Sequence, residues 1–350
     1  MPVVPCVCVP RERGEETRAF LAERDLLDDS YDITVDDGDI YVPVSDPAAV
    51  PGDYDVVDRD VPARERQTTP ADLLGFDPTY ERLGDIYVVD EDDSDRARAA
   101  AAAIVASDLP GDTVVDRASE VKGDLRVRDW DVLAGDDTET VHREYGCEYL
   151  LDIAEVYFSP RLATDRHLVA ERVESGEQFF DMFAGVGPFV IPAAKRDAEA
   201  VGVDLNPVAV DYLGENARRN GVADRVTAIE GDVRAVVEGS TEDAASDGVA
   251  GSPGVRDGGY EGWADRVVMN LPHSADEFLD TAVRLAADEC VVHYYDIQHE
   301  DDPFGPGERA VRGAAEERGY DVAVENTRAV RSYAPHELNV RLDARLMART

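Results

Sequence analysis

The stretch Asp181-Met-Phe-Ala-Gly-Val-Gly-Pro-Phe189, followed by Val201-Gly-Val-Asp204, decides how this chain folds. It reads as a strand, a glycine loop opening a helix, and a second strand that ends in an acid. Glycines let backbone approach a ligand closely, and an acid at the next strand end can accept hydrogen bonds from ribose hydroxyls. The expected ligand therefore carries an adenosine group, held at the carboxyl ends of parallel strands, with the backbone of Gly185 close to it and Asp204 on the ribose.

Downstream, Asn206-Pro207 is expected to cap and start a helix, because Asn accepts a bond from a free N–H and Pro suits the first helical position. Gly221 is the expected stop. Strands are predicted at 226–230, 266–270 and 290–295. The tail Leu338-Asn-Val-Arg-Leu-Asp-Ala-Arg-Leu346 alternates apolar and polar residues with period two. Paired with 321–324, it is predicted to form an antiparallel edge on a mostly parallel sheet. Between 238 and 262 lies a run of Gly, Ser, Asp and Ala, expected to be a disordered surface loop.

Upstream, the spacing predicts a helix over 17–27, short strands at 40–43 and 54–57, and a linker near Arg66-Gln-Thr-Thr-Pro70. A strand at 86–89, an alanine-rich helix over 95–107, a strand at 113–116 and a strand pair at 140–146 and 148–152 follow. The fold class is α/β. A Rossmann-like domain over 174–350 is expected after a small N-terminal α/β domain, 1–67, and a middle α/β domain, 68–173.

A lone glycine loop would also suit a nicotinamide-dependent oxidoreductase. Two further strand ends narrow the choice. Glu230-Gly-Asp232 closes the strand after Asp204, where an acid can accept a bond from an adenine amino group. Asn270-Leu-Pro-His273 closes the fourth strand, where a methyltransferase carries its target-binding motif. Singly, Gly-Asp reads as a turn and Asn-Leu-Pro as a strand terminator. At successive strand ends they line one crevice, and that crevice fits S-adenosylmethionine.

Composition bounds the setting. The net charge is −41, from 76 Asp plus Glu against 35 Lys plus Arg, and Lys122 and Lys195 are the only lysines. Acid excess with scarce lysine suggests a halophilic protein working in molar salt, where hydrated carboxylates maintain solubility. A nucleic-acid binder normally shows a basic balance. In strong salt, counterion release contributes little and repulsion is screened, so the acidity does not exclude an RNA partner. Cys6 and Cys8 lack companion ligands, so no metal is expected; they read as small buried residues of a strand. No signal peptide or membrane-length apolar run is apparent, and the expected location is cytoplasmic.

Several segments together resemble the archaeal and eukaryotic tRNA (guanine-37-N1)-methyltransferases. They are Val121-Lys-Gly-Asp-Leu-Arg126 with Leu133-Ala-Gly135, His142-Arg-Glu-Tyr-Gly146, and Val156-Tyr-Phe-Ser-Pro-Arg-Leu-Ala-Thr-Asp-Arg166. They continue through Asp181–Phe189, Asp204-Leu-Asn-Pro207, Asn270-Leu-Pro-His-Ser-Ala275, Val292-His-Tyr-Tyr295 and Val330-Arg-Ser-Tyr333. The resemblance spans nearly the whole chain. It implies S-adenosylmethionine as cofactor, tRNA as partner through the anticodon stem-loop and the outer L-shape, and a monomer.

The chemistry has its own requirements. Guanine N1 carries a proton at neutral pH, so methyl transfer to it needs a base, and a cation near O6 stabilises the charge that develops. By resemblance, Asp165 is the base and Arg126 the cation, with Arg128 as rival two residues on. Asn270 and Pro272 line the target-base pocket. Arg166 lies by the cofactor carboxylate, Asp204 and Leu205 by the ribose and adenine, and Asp232 and Val233 by the adenine. The family pattern carries Glu where this chain has Asp165, one methylene shorter; the plainer reading of Asp165 is a helix cap. Tyr157 and Phe158 are read either as a stacking platform for a flipped base or as core.

Other readings stay open at this level. A related enzyme of hypermodified-guanosine synthesis transfers the aminocarboxypropyl group of the same cofactor, and some archaeal relatives also methylate a tricyclic guanosine derivative. A non-catalytic RNA-binding module on a degenerate methyltransferase fold is a further alternative, against which the acids Asp204 and Asp232 argue.

Overall fold

The computed structural model describes residues 2–64, 66–91, 93–117, 123, 127–239, 256 and 258–349. The chain forms two compact units, Met1–Thr68 and Thr69–Thr350. Arg126 lies outside the described residues, as does most of the expected loop at 238–262. Within that range Tyr260 is described, and it is buried against Phe180 and Trp263.

In the first unit, β1 (Val3–Pro10), α1 (Gly14–Ala22), β2 (Thr34–Asp36), β3 (Asp39–Pro43) and β4 (Asp55–Asp60) give a sheet of order β2-β3-β1-β4. Its ladders are antiparallel. Cys6 is buried in β1 and both Cys6 and Cys8 are free thiols. The helix occupies Gly14–Ala22 rather than 17–27. Asp25 takes a left-handed φ of 58°, and Leu26 N–H folds back to Leu21 O at 2.9 Å, so the chain turns where the apolar spacing continues.

The second unit opens with α2 (Pro70–Leu74), β5 (Tyr80–Leu83), β6 (Ile86–Val89), α3 (Ser94–Ala106), β7 (Thr113–Arg117) and β8 (Trp130–Ala134). Thr69 caps α2 in a reciprocal box with Asp72. The strands form a sheet of order β5-β6-β7-β8. An antiparallel hairpin follows, β9 (Glu139–Glu144) and β10 (Cys147–Asp152), then α4 (Ala163–Ala170).

The remaining elements alternate: β11 (Gln178–Asp181), α5 (Val190–Ala194), β12 (Glu199–Asp204), α6 (Pro207–Arg219), β13 (Val226–Glu230), α7 (Val233–Glu238) and β14 (Ala264–Met269). Then come α8 (Leu279–Leu285), β15 (Ala286–His299), α9 (Gly305–Glu317), β16 (Tyr320–Ala334) and β17 (Glu337–Ala348). The sheet order is β13-β12-β11-β14-β15-β17-β16. β13 to β15 pair in parallel, whereas β15–β17 and β17–β16 are antiparallel. This is the predicted mostly parallel Rossmann-like sheet with an antiparallel edge. One apolar cluster, around Phe179, Val190, Leu213 and Tyr295, lies on one face with the hairpin; another, around Phe180, Val236, Leu279 and Val311, lies on the other.

Two asparagines one turn apart, Asn216 on α6 and Asn220 at its C-cap, hold the hairpin to this sheet. Asn216 Oδ1 accepts from Leu150 N–H at 2.7 Å, and Asn220 Oδ1 accepts from Glu148 N–H at 3.0 Å. Their amides donate back to Leu150 O and Glu148 O at 3.1 and 2.7 Å. The edge of β10 is thus paired by side chains that mimic a neighbouring strand, which meets the backbone's bonding needs where a helix would otherwise leave them unmet.

Candidate active site

The parallel strands β11, β12, β13 and β14 end side by side, and the residues just beyond them form the crevice. Gly185 has φ 51°, and a Cβ there would meet nothing nearer than Tyr157 O at 3.9 Å, so the loop backbone faces open space. At Gly187, φ 91°, an added Cβ would lie 2.4 Å from Leu213 Cδ1; only glycine lets the loop pack this closely on α6.

Three strand-end acids differ in state. Asp204 accepts from Gly185 N–H at 2.7 Å through Oδ2 and from Asn206 N–H at 2.9 Å through Oδ1; burial nonetheless pushes its carboxyl up. Asp232 caps α7 and is held below the usual carboxylate range by the Arg234 guanidinium. Asp181 is fully buried. Its Oδ1 accepts from Phe183 N–H at 3.1 Å, and its Oδ2 has no hydrogen-bond partner among the described residues. Burial first, and then the charge of Asp204, push its carboxyl up to about 7. Leu205, 49% exposed, offers an apolar face at the end of β12, while Val233 is buried.

At the end of β14, Asn270 is half-buried and its Oδ1 likewise has no partner among the described residues. An unmet buried acceptor costs about 1–3 kcal/mol, so its retention here marks a place for a donor from outside the chain. His273, two residues on from Leu271, is held at φ 96°, a conformation L-residues rarely adopt. Its Nε2 lies 3.0 Å from Tyr333 Oη, so the Asn270–His273 turn is tied to the end of β16.

Asp165 sits in the first turn of α4 but caps nothing there. Its side chain, in a residue only 3% exposed, points into the sheet: Oδ2 accepts from Tyr295 Oη at 2.5 Å, and Oδ1 accepts from Arg341 Nη1 at 2.7 Å. Arg328 Nε lies 3.2 Å from the same Oδ1. Arg166 is also buried, with Nε and Nη2 donating to Glu144 at 2.8 and 2.6 Å and Nη1 to Ser159 O at 3.0 Å. Glu144 is held low despite its burial, by the His142 imidazole 3.3 Å away and by the bonds from Arg166.

A cavity of about 260 Å³ opens between the β5–β8 sheet and the 153–161 segment. Arg117, Arg128, Arg161 and Arg331 line it together with Tyr157 and Trp130. Glu81 lines it too and pairs with Arg117 at 3.3 Å and Arg161 at 3.2 Å, so the arginine charge there is partly neutralised. Arg128, the rival to Arg126, is placed on this cavity, and Tyr157 with it. Phe158 also reaches the cavity, but its ring packs against His142 and Tyr149 and under the Arg166 guanidinium.

These features have counterparts in known proteins. A family model described as the TRM5/TYW2 methyltransferase domain matches residues 140–323, and one described as the tRNA methyltransferase 5 N-terminal domain matches residues 6–50. The chain belongs to the TRM5/TYW2 family. The tRNA (guanine(37)-N(1))-methyltransferase Trm5b of Pyrococcus abyssi is 36% identical over 97% of this chain and 98% of its own length. A tRNA(Phe) (4-demethylwyosine(37)-C(7)) aminocarboxypropyltransferase of Pyrococcus horikoshii is 30% identical over 79% of this chain and 92% of its own. The solved complex of aTrm5 and tRNALeu superposes with TM-score 0.68 at 29% identity, covering 99% of this chain and all of that one (100%). The Methanocaldococcus jannaschii TYW2 in complex with AdoMet superposes with TM-score 0.59 at 26% identity, covering 77% of this chain and 100% of that one.

Within this TRM5/TYW2 member, the crevice fits an S-adenosylmethionine cofactor by the chemistry of its donors and acceptors. Asp204 and Asp232 are acceptors for hydroxyl and amino groups, and the unpaired oxygens of Asp181 and Asn270 lie beyond adjacent strand ends. Leu205 supplies an exposed apolar contact. Sequence reasoning did not single out Asp181, Glu144, Tyr295 or Arg341 as site residues. Asp181, Glu144 and Tyr295 lie inside segments of the family resemblance, which was the available signal. Arg341 had none: in the alternating tail it falls on the polar side, yet it is 1% exposed.

Proposed function

We propose that this chain transfers a methyl group from S-adenosylmethionine to N1 of guanosine 37 in tRNA. The observation that carries this reading is the match over the full length to a guanine-37 N1-methyltransferase, N-terminal unit included. The aminocarboxypropyltransferase relative aligns over a smaller share of the chain, which favours methyl transfer over its chemistry.

The cofactor supplies an electrophilic methyl group on a sulfonium. Asp204 and Leu205 would hold its ribose and adenine, Asp232 and Val233 the adenine edge, and Gly185 gives the backbone approach. Arg166, braced by Glu144, would face the cofactor carboxylate. Asn270 and Pro272 would line the target-base pocket, with the unpaired Asn270 Oδ1 ready to accept from a guanine N–H. Asp165 would take the N1 proton, and Arg126 would stabilise charge on O6. Its burial keeps bulk water off Asp165, which suits a base that acts on one inserted nucleobase.

The N-terminal unit would grip the outer L-shape of the tRNA while the second unit engages the anticodon stem-loop. The enzyme would act as a monomer in the cytoplasm of a cell with high internal salt. Among the described residues no helix is long and apolar enough to cross a membrane. The test is methylation of an unmodified tRNA transcript carrying guanosine or adenosine at position 37. N1-methylguanosine and S-adenosylhomocysteine are expected from the guanosine transcript alone. Methylthioadenosine as by-product, or equal reaction with adenosine, overturns the reading.

A further inference from the structure

The register of β15 against β17 places Tyr295 opposite Arg341 and His293 opposite Asp343. Because side chains alternate along a strand, these four share one face, directly under α4. That face is buried: Tyr295, His293 and Asp343 are 0% exposed and Arg341 is 1%. Four polar side chains in the middle of a sheet core carry a desolvation cost that apolar residues of similar volume would not.

They are bonded to one another in a fixed order. Arg341 donates from Nη1 to Asp165 Oδ1 at 2.7 Å and from Nε to Asp343 Oδ1 at 2.8 Å. Asp343 also accepts from Asn326 Nδ2 at 3.1 Å and pairs with Arg172. His293 Nδ1 lies 2.7 Å from Asp343 Oδ1 and its Nε2 lies 2.9 Å from Arg266 Nη1. A neutral imidazole with its proton on Nδ1 satisfies both contacts, since Nε2 then accepts from Arg266. Burial acts in the same direction, disfavouring the charged imidazole.

The chain of contacts ends at Asp165. A carboxylate has about four acceptor positions, two on each oxygen. Arg341 bonds Oδ1, the Arg328 guanidinium stands against the same oxygen as a charge partner without a hydrogen bond from Nε, and Tyr295 occupies one position on Oδ2. Among the described residues, one position on Oδ2 is left. Arg341 Nη1 also reaches Asp165 O at 3.4 Å, so backbone and carboxyl are gripped by the same guanidinium.

Building on the assignment of Asp165 as the base, we propose that Tyr295 and Arg341 are positioning residues: they fix the Asp165 carboxylate so that one lone pair on Oδ2 receives the guanine N1 proton. An aspartate carries its carboxyl on a single methylene, so it has little reach to correct a misplaced oxygen. A displacement near 1 Å at a reacting atom costs about 100-fold in rate.

Tyr295→Phe removes one hydroxyl and leaves the packing in place. In single-turnover methylation with saturating tRNA and cofactor, it should lower the rate about 10- to 100-fold, with the dissociation constants of both ligands unchanged. The other charged and titratable groups around Asp165 are Arg328 and Arg341, with Asp343, Arg172 and His293 behind them. All are retained in this variant. Asp165→Asn, run beside it, should abolish the rate. If Asp165→Asn is inactive while Tyr295→Phe keeps the wild-type rate, the positioning role is refuted and the base assignment stands. If Asp165→Asn reacts at the wild-type rate, both fall. A Tyr295→Phe protein that melts at a lower temperature but reacts normally while folded also refutes the proposal. Arg341→Lys retains the charge and loses the fork. It should lose rate with no change in ligand affinity, and a wild-type rate counts against Arg341.

Discussion

Gly185 N–H donates to Asp204 Oδ2 at 2.7 Å, binding the glycine loop to the end of β12. The same carboxylate accepts from Asn206 N–H at 2.9 Å, so one side chain holds both the loop and the start of α6. A ribose held there would add a further bond to an acceptor already oriented by two amides. Asp204→Ala should therefore weaken S-adenosylmethionine binding by about 30- to 100-fold, the loss expected for a charged acceptor and a loosened loop. Calorimetric titration measures it. Unchanged affinity would make Asp204 a brace for the loop and nothing more.

Asn216 carries more of the fold than its exposed-helix neighbours suggest. It is 0% exposed, and its amide serves Leu150 N–H, Leu150 O and Val186 O, the last at 3.0 Å. Asn216→Ala leaves these backbone groups without partners inside the protein. A loss of about 2–3 kcal/mol in unfolding free energy is expected. Denaturant unfolding at constant salt checks it. Asn216→Asp, which keeps the acceptor but loses the amide donor, should also destabilise.

The strand-end logic of the site was legible because it is local. Loop, acid and strand recur within about 25 residues, and Asn206-Pro207 announces its helix by side-chain chemistry alone. Asp165 was legible as a residue but not in its setting. Tyr295 is 130 residues away and Arg341 is 176, and no periodicity links such positions. The tail misleads in a specific way: alternation correctly gives a strand, but predicts that Asn339, Arg341 and Asp343 face water. They face a second layer instead, buried at 1%, 1% and 0%. β16 extends well past the predicted 321–324, through polar residues whose strand conformation is set by pairing with β17 across three register shifts. The α1 endpoint failed for a local reason, the left-handed turn at Asp25.

His293 gives stability a pH dependence of known sign. Burial lowers its proton affinity in the folded protein, whereas the unfolded chain has an ordinary value of about 6.5. As pH falls through that value the unfolded chain takes up a proton that the folded protein does not. Stability from this group is thus complete above about pH 6.5 and is lost on going lower, with a slope approaching 1.4 kcal/mol per unit, about one proton's worth. Asp343 adds a loss of the same sign at lower pH: although buried, it is held well below the usual range by His293 and Arg341. His293→Gln should lower stability at neutral pH and flatten the decline just below pH 6.5. Urea unfolding over a pH series separates the two effects, and an unchanged slope in the variant would place the titration elsewhere.

Asp181 has the opposite sign. Its carboxyl is raised to about 7, so between the ordinary carboxylate value of about 4 and 7 the folded protein holds a proton that the unfolded chain has released. Stability therefore falls as pH rises through this window, and the full penalty is present above it. Asp181→Asn keeps an oxygen to accept from Phe183 N–H and removes the charge beside Asp204. The ligand-free variant should gain about 2–4 kcal/mol over wild type at pH 8, a gain that shrinks to nothing near pH 4. A cationic cofactor would draw the proton off wild-type Asp181 and gain a charge partner in return. The same substitution should therefore weaken cofactor binding while raising the melting temperature of the free protein. Melting curves at the two pH values, with and without S-adenosylmethionine, test both halves. A variant that is destabilised at pH 8 would show that the Asp181 charge costs the free protein nothing.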